Sequence, residues 1–316
     1  MPEEQPDLLE ELPGEGAAGA LSPVKRRLLQ SALAIEAAQD PASILFQHTC
    51  LCQTGLPYRD PGPDVTVWDR QQGAISLRIR AGEVQDENMG GWRSVGLPFG
   101  PKPRVILSYL NATAIRTGSP EIEVEDSLTA FVKRIGLASK GKNMLVVKDQ
   151  LARLSTAEVR MSLRYEDRQR QVQTHIVAGF DLWFPKDGRQ RVLWPSTVRL
   201  SLDYFASLQH HAVPLDERAI AALSHSAMGL DVYAWLAQRL HRVSPGRPQL
   251  VSWRALKDQF GGGYGRVVEF RRVFRRTLGM VLSQYHGARL GDGERGLLLH
   301  HSPPPVRARL VAVQKR

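Results

Sequence analysis

Apolar positions recur along this chain with helical spacing, then alternate, then return to helical spacing, and this order repeats. Behind Ser22-Pro23, a capping hydroxyl with proline at the first helical position, Leu28, Leu29, Ala32, Leu33 and Ile35 lie on one face of a helix that Asp40-Pro41 ends. Residues 55–66 are rich in turn formers. Ile75–Arg80 alternates apolar with polar and predicts a strand with one basic face. Gly90-Gly91 and the Gly/Pro density of 96–103 mark a boundary. Beyond it the pattern predicts a helix over Leu107–Thr117, a short strand over Ile122–Glu125, a helix from the cap Ser127 through Ile135 and a helix over Met144–Ser155. Strands follow near Glu158–Tyr165 and Gln171–Phe184, joined by a polar turn, with another over Val198–Leu202. The second half repeats the scheme. A helix opens at Asp216, a long apolar helix covers Leu230–Arg242, Ser252 caps a helix to Phe260, and another runs from Gly265 to Tyr285. A hairpin then turns at Gly291-Asp292-Gly293.

The repeat can be aligned. Ser127-Leu-Thr-Ala130-Phe131-Val-Lys-Arg-Ile135-Gly136 superposes on Ser252-Trp-Arg-Ala255-Leu256-Lys-Asp-Gln-Phe260-Gly261, matching cap, small residue, apolar anchors and terminal glycine. Each copy is preceded by a helix and followed by a glycine-containing turn, a helix and a hairpin. Helix–turn–helix plus hairpin is the winged-helix arrangement. The expected fold is therefore α+β, with two tandem winged-helix domains at 96–205 and 206–302. An acidic tail at 1–20, a helix-and-strand extension at 21–95 and a basic tail at 303–316 complete the chain.

Charge narrows the partner. The 316 residues hold 42 Lys+Arg against 32 Asp+Glu, net +10 with a pI near 9.9. The first 20 contain six acids and no base, so the rest carries +16. A basic body of this size points first to nucleic acid. No apolar run is long enough to span a bilayer, the acidic N-terminus has no apolar signal region, and Cys50 and Cys52 make no disulfide framework. A cytoplasmic protein with no membrane partner is expected.

The sharpest chemical feature is the helix after Gly265. Phe270, Val273, Phe274, Thr277, Met280 and Val281 share one side; Arg271, Arg272, Arg275 and Arg276 share the other, with Val268 and Gly279 among them and Arg266 just before. The second helix of a helix–turn–helix enters the major groove, where the guanidinium fork holds guanine or phosphate. In the first copy Val147, Leu151 and Leu154 face inward and Asp149, Gln150 and Arg153 outward. Bases cluster in its turn (Lys140, Lys142, with Asn143) and in its hairpin (Arg160, Arg164, Arg168, Arg170). This copy reads as a weaker DNA contact through turn and wing phosphates, or as a protein-contact module.

Other motifs fail on chemistry. Gly136–Asn143 nearly spells a nucleotide-binding loop, but Asn143 replaces the magnesium-ligating hydroxyl and a helix, not a strand, precedes it. His48, Cys50 and Cys52 lack the further ligands of a zinc site. No His-apolar-His pair or GxSxG is present, and no acidic cluster resembles a two-metal nuclease site. No catalytic residue, metal or cofactor is expected.

The segments Val95–Tyr109, Ala114–Ile122, Asp126–Leu137 and Lys148–Leu154, with Phe270–Arg276, resemble the plasmid-encoded RepA family of replication initiators, from about Phe46 to Pro305. The resemblance implies tandem winged helices, binding to repeated double-stranded origin sites, and recruitment of the host initiator and replicative helicase. The turn around Lys140–Asn143 carries fewer bases than that family leads one to expect. Two unlike modules further predict a homodimer in equilibrium with monomer, self-association falling to the first module with 21–95. The rivals from other classes are a winged-helix transcriptional repressor and a nickase or primase, for which the sequence shows no metal ligands.

Overall fold

In a computed structural model the structure describes residues 21–38, 40–86, 90–123, 128–136, 141–164, 169–179 and 197–307. Along the chain run α1 (Pro23–Ala37), β1 (Ile44–His48), α2 (Thr49–Thr54), β2 (Val67–Gln72), β3 (Ile75–Arg80), β4 (Glu83–Asp86), β5 (Gly91–Ser94) and α3 (Pro101–Thr117). Then come β6 (Glu121–Glu123), α4 (Leu128–Arg134), α5 (Gly141–Thr156), β7 (Glu158–Arg164), β8 (Gln169–His175), β9 (Val177–Gly179), β10 (Thr197–Leu200) and α6 (Leu202–His211). Last are β11 (Ala212–Asp216), α7 (Glu217–Leu223), α8 (Ala227–Arg239), β12 (Gln249–Ser252), α9 (Trp253–Phe260), α10 (Val267–Leu282), β13 (Leu290–Asp292) and β14 (Gly296–Leu299). This is an α+β chain, as its alternating periodicities predict.

The described residues form two compact units. One combines residues 21–43 with 215–307; the other comprises 44–214. The stretch 21–95 is thus split. Helix α1 belongs with the C-terminal part of the chain, and β1 through β5 belong with the middle. Helix α1 turns Val24, Arg27, Leu28, Ser31, Ala32 and Ile35 toward its unit and leaves Leu29 and Leu33 exposed, a narrower face than the apolar residues alone define. Arg218 holds it at the other end. Its guanidinium forks onto Asp216, the N-cap of α7, at 2.7 and 3.0 Å, and donates to the carbonyls of Ala34 and Ala38 at 2.8 and 2.7 Å, the open C-terminal end of α1. Gln284 adds a bond to the Leu28 carbonyl at 3.0 Å.

In this unit α9 packs on an antiparallel sheet of order β12-β14-β13, and α10 packs on α8 and α9. Ser252 caps α9, its hydroxyl accepting from the Ala255 amide at 3.2 Å. The core is aromatic. Phe270 and Phe274 lie 5.2 Å apart, Phe260 meets Phe274 at 5.6 Å, and Trp235 stands edge-on to Phe260 at 5.4 Å. Gly261 closes the turn between α9 and α10 because a Cβ there would stand 2.6 Å from the Phe270 ring. It is a packing requirement, not a flexible joint.

The middle unit repeats the helices but not the sheet. Helices α4 and α9 begin 125 residues apart and α5 and α10 follow them. Val147, Leu151 and Leu154 are buried as their spacing predicts. The hairpin β7–β8, however, joins β3 in a sheet of order β2-β3-β7-β8, and β6 pairs with β10 instead. Several expected boundaries move. Helix α3 starts at Pro101, after Gly100 with φ of 75°. The strand expected over Val198–Leu202 stops at Leu200, because Ser201 caps α6. The strand expected to reach Phe184 breaks at Ile176 into β8 and β9, and 180–196 lie outside the described residues, as does the cap Ser127. Among the described residues no helix is long and apolar enough to cross a membrane.

Candidate nucleic-acid interface

Helix α10 carries the candidate surface. Its buried side is Phe270, Phe274, Thr277, Leu278 and Val281, with Val273 and Met280 partly covered. The four arginines opposite divide into two pairs. Arg272 and Arg276 are exposed. Arg271 and Arg275 lean onto the indole of Trp253, their guanidinium carbons 5.1 and 5.2 Å from its ring centroid. Arg275 also forks onto Asp292 in β13, with Nε 2.6 Å from Oδ2 and Nη2 2.8 Å from Oδ1. The hairpin thus brings an acid beside the arginine cluster.

Trp253 completes this frame. Its indole N–H donates to the Gly293 carbonyl at 2.9 Å and its backbone N–H to the Arg295 carbonyl at 3.2 Å. One residue at the start of α9 thus touches α10 through two cations over its ring and the hairpin turn through two hydrogen bonds, one from the indole and one from the backbone. Arg275, expected as a groove-facing side chain, is partly covered and tied to the hairpin through Asp292. Arg266 is 77% exposed, with Glu269 3.9 Å away. The structure adds two exposed arginines that the sequence reading passed over: Arg254 in the first turn of α9 and Arg295 at the hairpin tip. The Gly291-Asp292-Gly293 turn already pointed to the latter.

The first copy is arranged differently. Arg153, expected on the outer side of α5, is 16% exposed and bonded within the protein. It donates to Asp149 at 2.9 Å and to the Leu97 carbonyl at 3.1 Å, reaches Asp60 at 3.8 Å and lies over Phe99. Gln150, also expected outside, is buried, its carbonyl oxygen accepting from the Phe99 amide at 2.8 Å. The outer side of α5 shows Leu145, Val146 and Asp149. Arg160 in β7 pairs with Glu158 at 3.0 Å. Asn143 is partly covered and Lys142 opens α5; Arg164 and Arg170 stand in β7 and β8 near the hairpin tip. Lys140 and Arg168 lie outside the described residues.

The His48-Thr-Cys50-Leu-Cys52 run has a structural use. His48 caps α2, its Nδ1 accepting from the Cys50 amide at 3.2 Å, while Nε2 meets the Ser207 hydroxyl at 3.0 Å. Both cysteines are buried, and burial pushes the Cys50 thiol up to about 12. Among the described residues no three His, Cys, Asp or Glu side chains converge on a metal position.

A family model described as plasmid encoded RepA protein matches residues 97–255, half of the chain. The match begins just before α3 and ends inside α9, so α10 lies beyond it. No curated protein matches the chain. Among solved structures, the chain is similar to a crystal structure of selenomethionine derivatives of domain 2 and domain 3 of RctB. The TM-score is 0.52 at 10% identity, covering 82% of this chain and 99% of that one. A second crystal structure, of RctB domains 2–3, gives a TM-score of 0.46 at 8% identity, covering 83% of this chain and 98% of that one. At such identity the first is a likeness of fold.

Proposed function

The chain belongs to the plasmid-encoded RepA family of replication initiators, and on that premise we propose that it binds repeated double-stranded sites at its plasmid origin through two winged-helix modules. In the C-terminal module α10 enters the major groove, with Arg272 and Arg276 toward the duplex, Arg266 and Arg295 at its edges, and the β13–β14 hairpin as the wing. The observation that carries this is the split of α10 into an aromatic buried side and an arginine side braced on Trp253. A helix so anchored can present cations without shifting on its module.

In the first module the hairpin bases Arg164, Arg168 and Arg170 and the turn bases Lys140 and Lys142 touch phosphate. Leu145 and Val146 on α5 are easier to desolvate against a second copy than an arginine surface, so self-association falls to this module without α1. The role is non-catalytic, cytoplasmic and completed by the host initiator and replicative helicase.

Footprinting of the full chain on the plasmid region flanking its own gene tests the reading. Protection of a repeated sequence is expected, lost in an Arg272→Ala/Arg276→Ala double variant, with the slope of log affinity against log salt falling by roughly two phosphate contacts. An unchanged footprint from that folded variant overturns it. Protection confined to a promoter, with no replication of a linked origin, marks a repressor instead.

A further inference from the structure

Val268 is the least covered residue of the apolar set on α10, 70% exposed, with Val267 beside it also exposed. At about 100° per residue Arg275 falls about 20° to one side of it and Arg272 about 40° to the other. It therefore stands in the middle of the arginine arc, in the first turn of the helix. Two β-branched residues there are poor helix formers, and Val268 leaves most of its surface uncovered by its own module. Neither the local structure nor the packing accounts for it.

A duplex does. The first turn of a groove-entering helix is the part that reaches base edges. On the major-groove floor guanine, adenine and thymine offer acceptors that arginine's N–H groups can reach, and thymine alone offers an apolar group, its 5-methyl, which calls for an apolar side chain. We propose that Val268 packs against the 5-methyl group of a thymine in the bound site and so sets the preference for thymine over cytosine at that position. This rests on the assignment of α10 to the major groove.

The test uses the full chain. Sites are selected from a random-core duplex library, and each thymine of the selected site is then replaced singly by deoxyuridine, which removes the methyl and nothing else. One or two replacements should weaken binding about fourfold, the value of one buried methyl group. Val268→Ala should bind the thymine duplex correspondingly less well and become indifferent to deoxyuridine at those positions, while its affinity for a scrambled duplex stays that of the parent. Indifference of the parent chain to every deoxyuridine overturns the proposal, as does a Val268→Ala chain that keeps the parent's sensitivity or weakens on all duplexes alike. In those cases an arginine-dependent site still stands. Failure to select any site, or full affinity in the Arg272/Arg276 double alanine, removes the groove assignment and this proposal with it.

Discussion

His48 holds its proton on Nε2, because Nδ1 is already the acceptor of the Cys50 amide; the Nε2–H then donates to Ser207. A second proton has only Nδ1 to go to, and it would break the cap of α2. Burial, with the His211 ring 5.8 Å away, holds this imidazole down to about 3. The ordinary value of 6.5 applies to the unfolded chain, so below it the unfolded state takes the proton and the folded state refuses it. Stability is intact above that pH and falls on the way down toward the folded value, by up to about 1.4 kcal/mol per pH unit. Urea midpoints should drop as pH is lowered from 7.5 to 5.5 (roughly the upper part of that window). His48→Asn, which keeps a capping oxygen, should start less stable and lose most of the slope; equal slopes in the two proteins would remove His48 as the cause. None of this is legible in the spacing of His48, Cys50 and Cys52, because the deciding partner Ser207 is 159 residues away. Arg275 teaches the same. Periodicity placed it opposite Phe270 and Phe274, but Asp292, 17 residues on, decides what its guanidinium does.

At the scale of elements, capped and amphipathic segments were legible. Ser22, Asp216 and Ser252 cap α1, α7 and α9, and the turn signal at Gly291–Gly293 sits in a hairpin. Strand β1 was not, because all five of its residues are buried and no alternation exists to find. Helix α6 was hidden by the alternating residues before it, which make Ser201 look like strand when it is a cap. The position of the hairpin β7–β8 beside β3 follows from a pairing across about eighty residues that no local pattern encodes. Within α10, Gly279 lies on the line of Val268 and Arg272, and a Cβ there would meet nothing within 4 Å. Gly279→Ala should raise stability by roughly 0.5–1 kcal/mol, seen as a higher melting temperature. If this side of α10 approaches a duplex backbone, the same variant should bind the selected site less well. A gain in stability with undiminished binding would place the contact nearer the helix start.

The molecule as a whole is not built in sequence order. One unit needs both ends of the described chain, and Arg218 is the link, with Asp216 almost fully buried beneath it. Hydrogen bonding to Asp216 raises the Arg218 guanidinium further above its ordinary range, so the guanidinium stays charged. Arg218→Ala should cost roughly 1–3 kcal/mol, since it leaves a buried carboxylate with only the residue-218 backbone amide as donor and takes the guanidinium from the Ala38 carbonyl at the end of α1. Limited proteolysis should then cut within α1, at Arg26 or Arg27, faster than in the parent; an α1 as resistant as in the parent would show that Gln284 and the Ser31 hydroxyl, which donates to the residue-218 carbonyl at 3.0 Å, suffice.

The contact from Arg218 to Ala34 spans 184 residues. At the pace of synthesis, about 5–20 residues per second, α1 waits roughly ten to forty seconds for α7 to emerge. In that interval Leu28, Ala32 and Ile35 have no cover, while residues 44–214 have already left the ribosome. Birth order is therefore fixed by covalent layout. The middle unit is finished first, and the unit bearing α10 closes only after α7 has returned to α1, so a nascent chain places its arginine helix after residues 44–214 have folded.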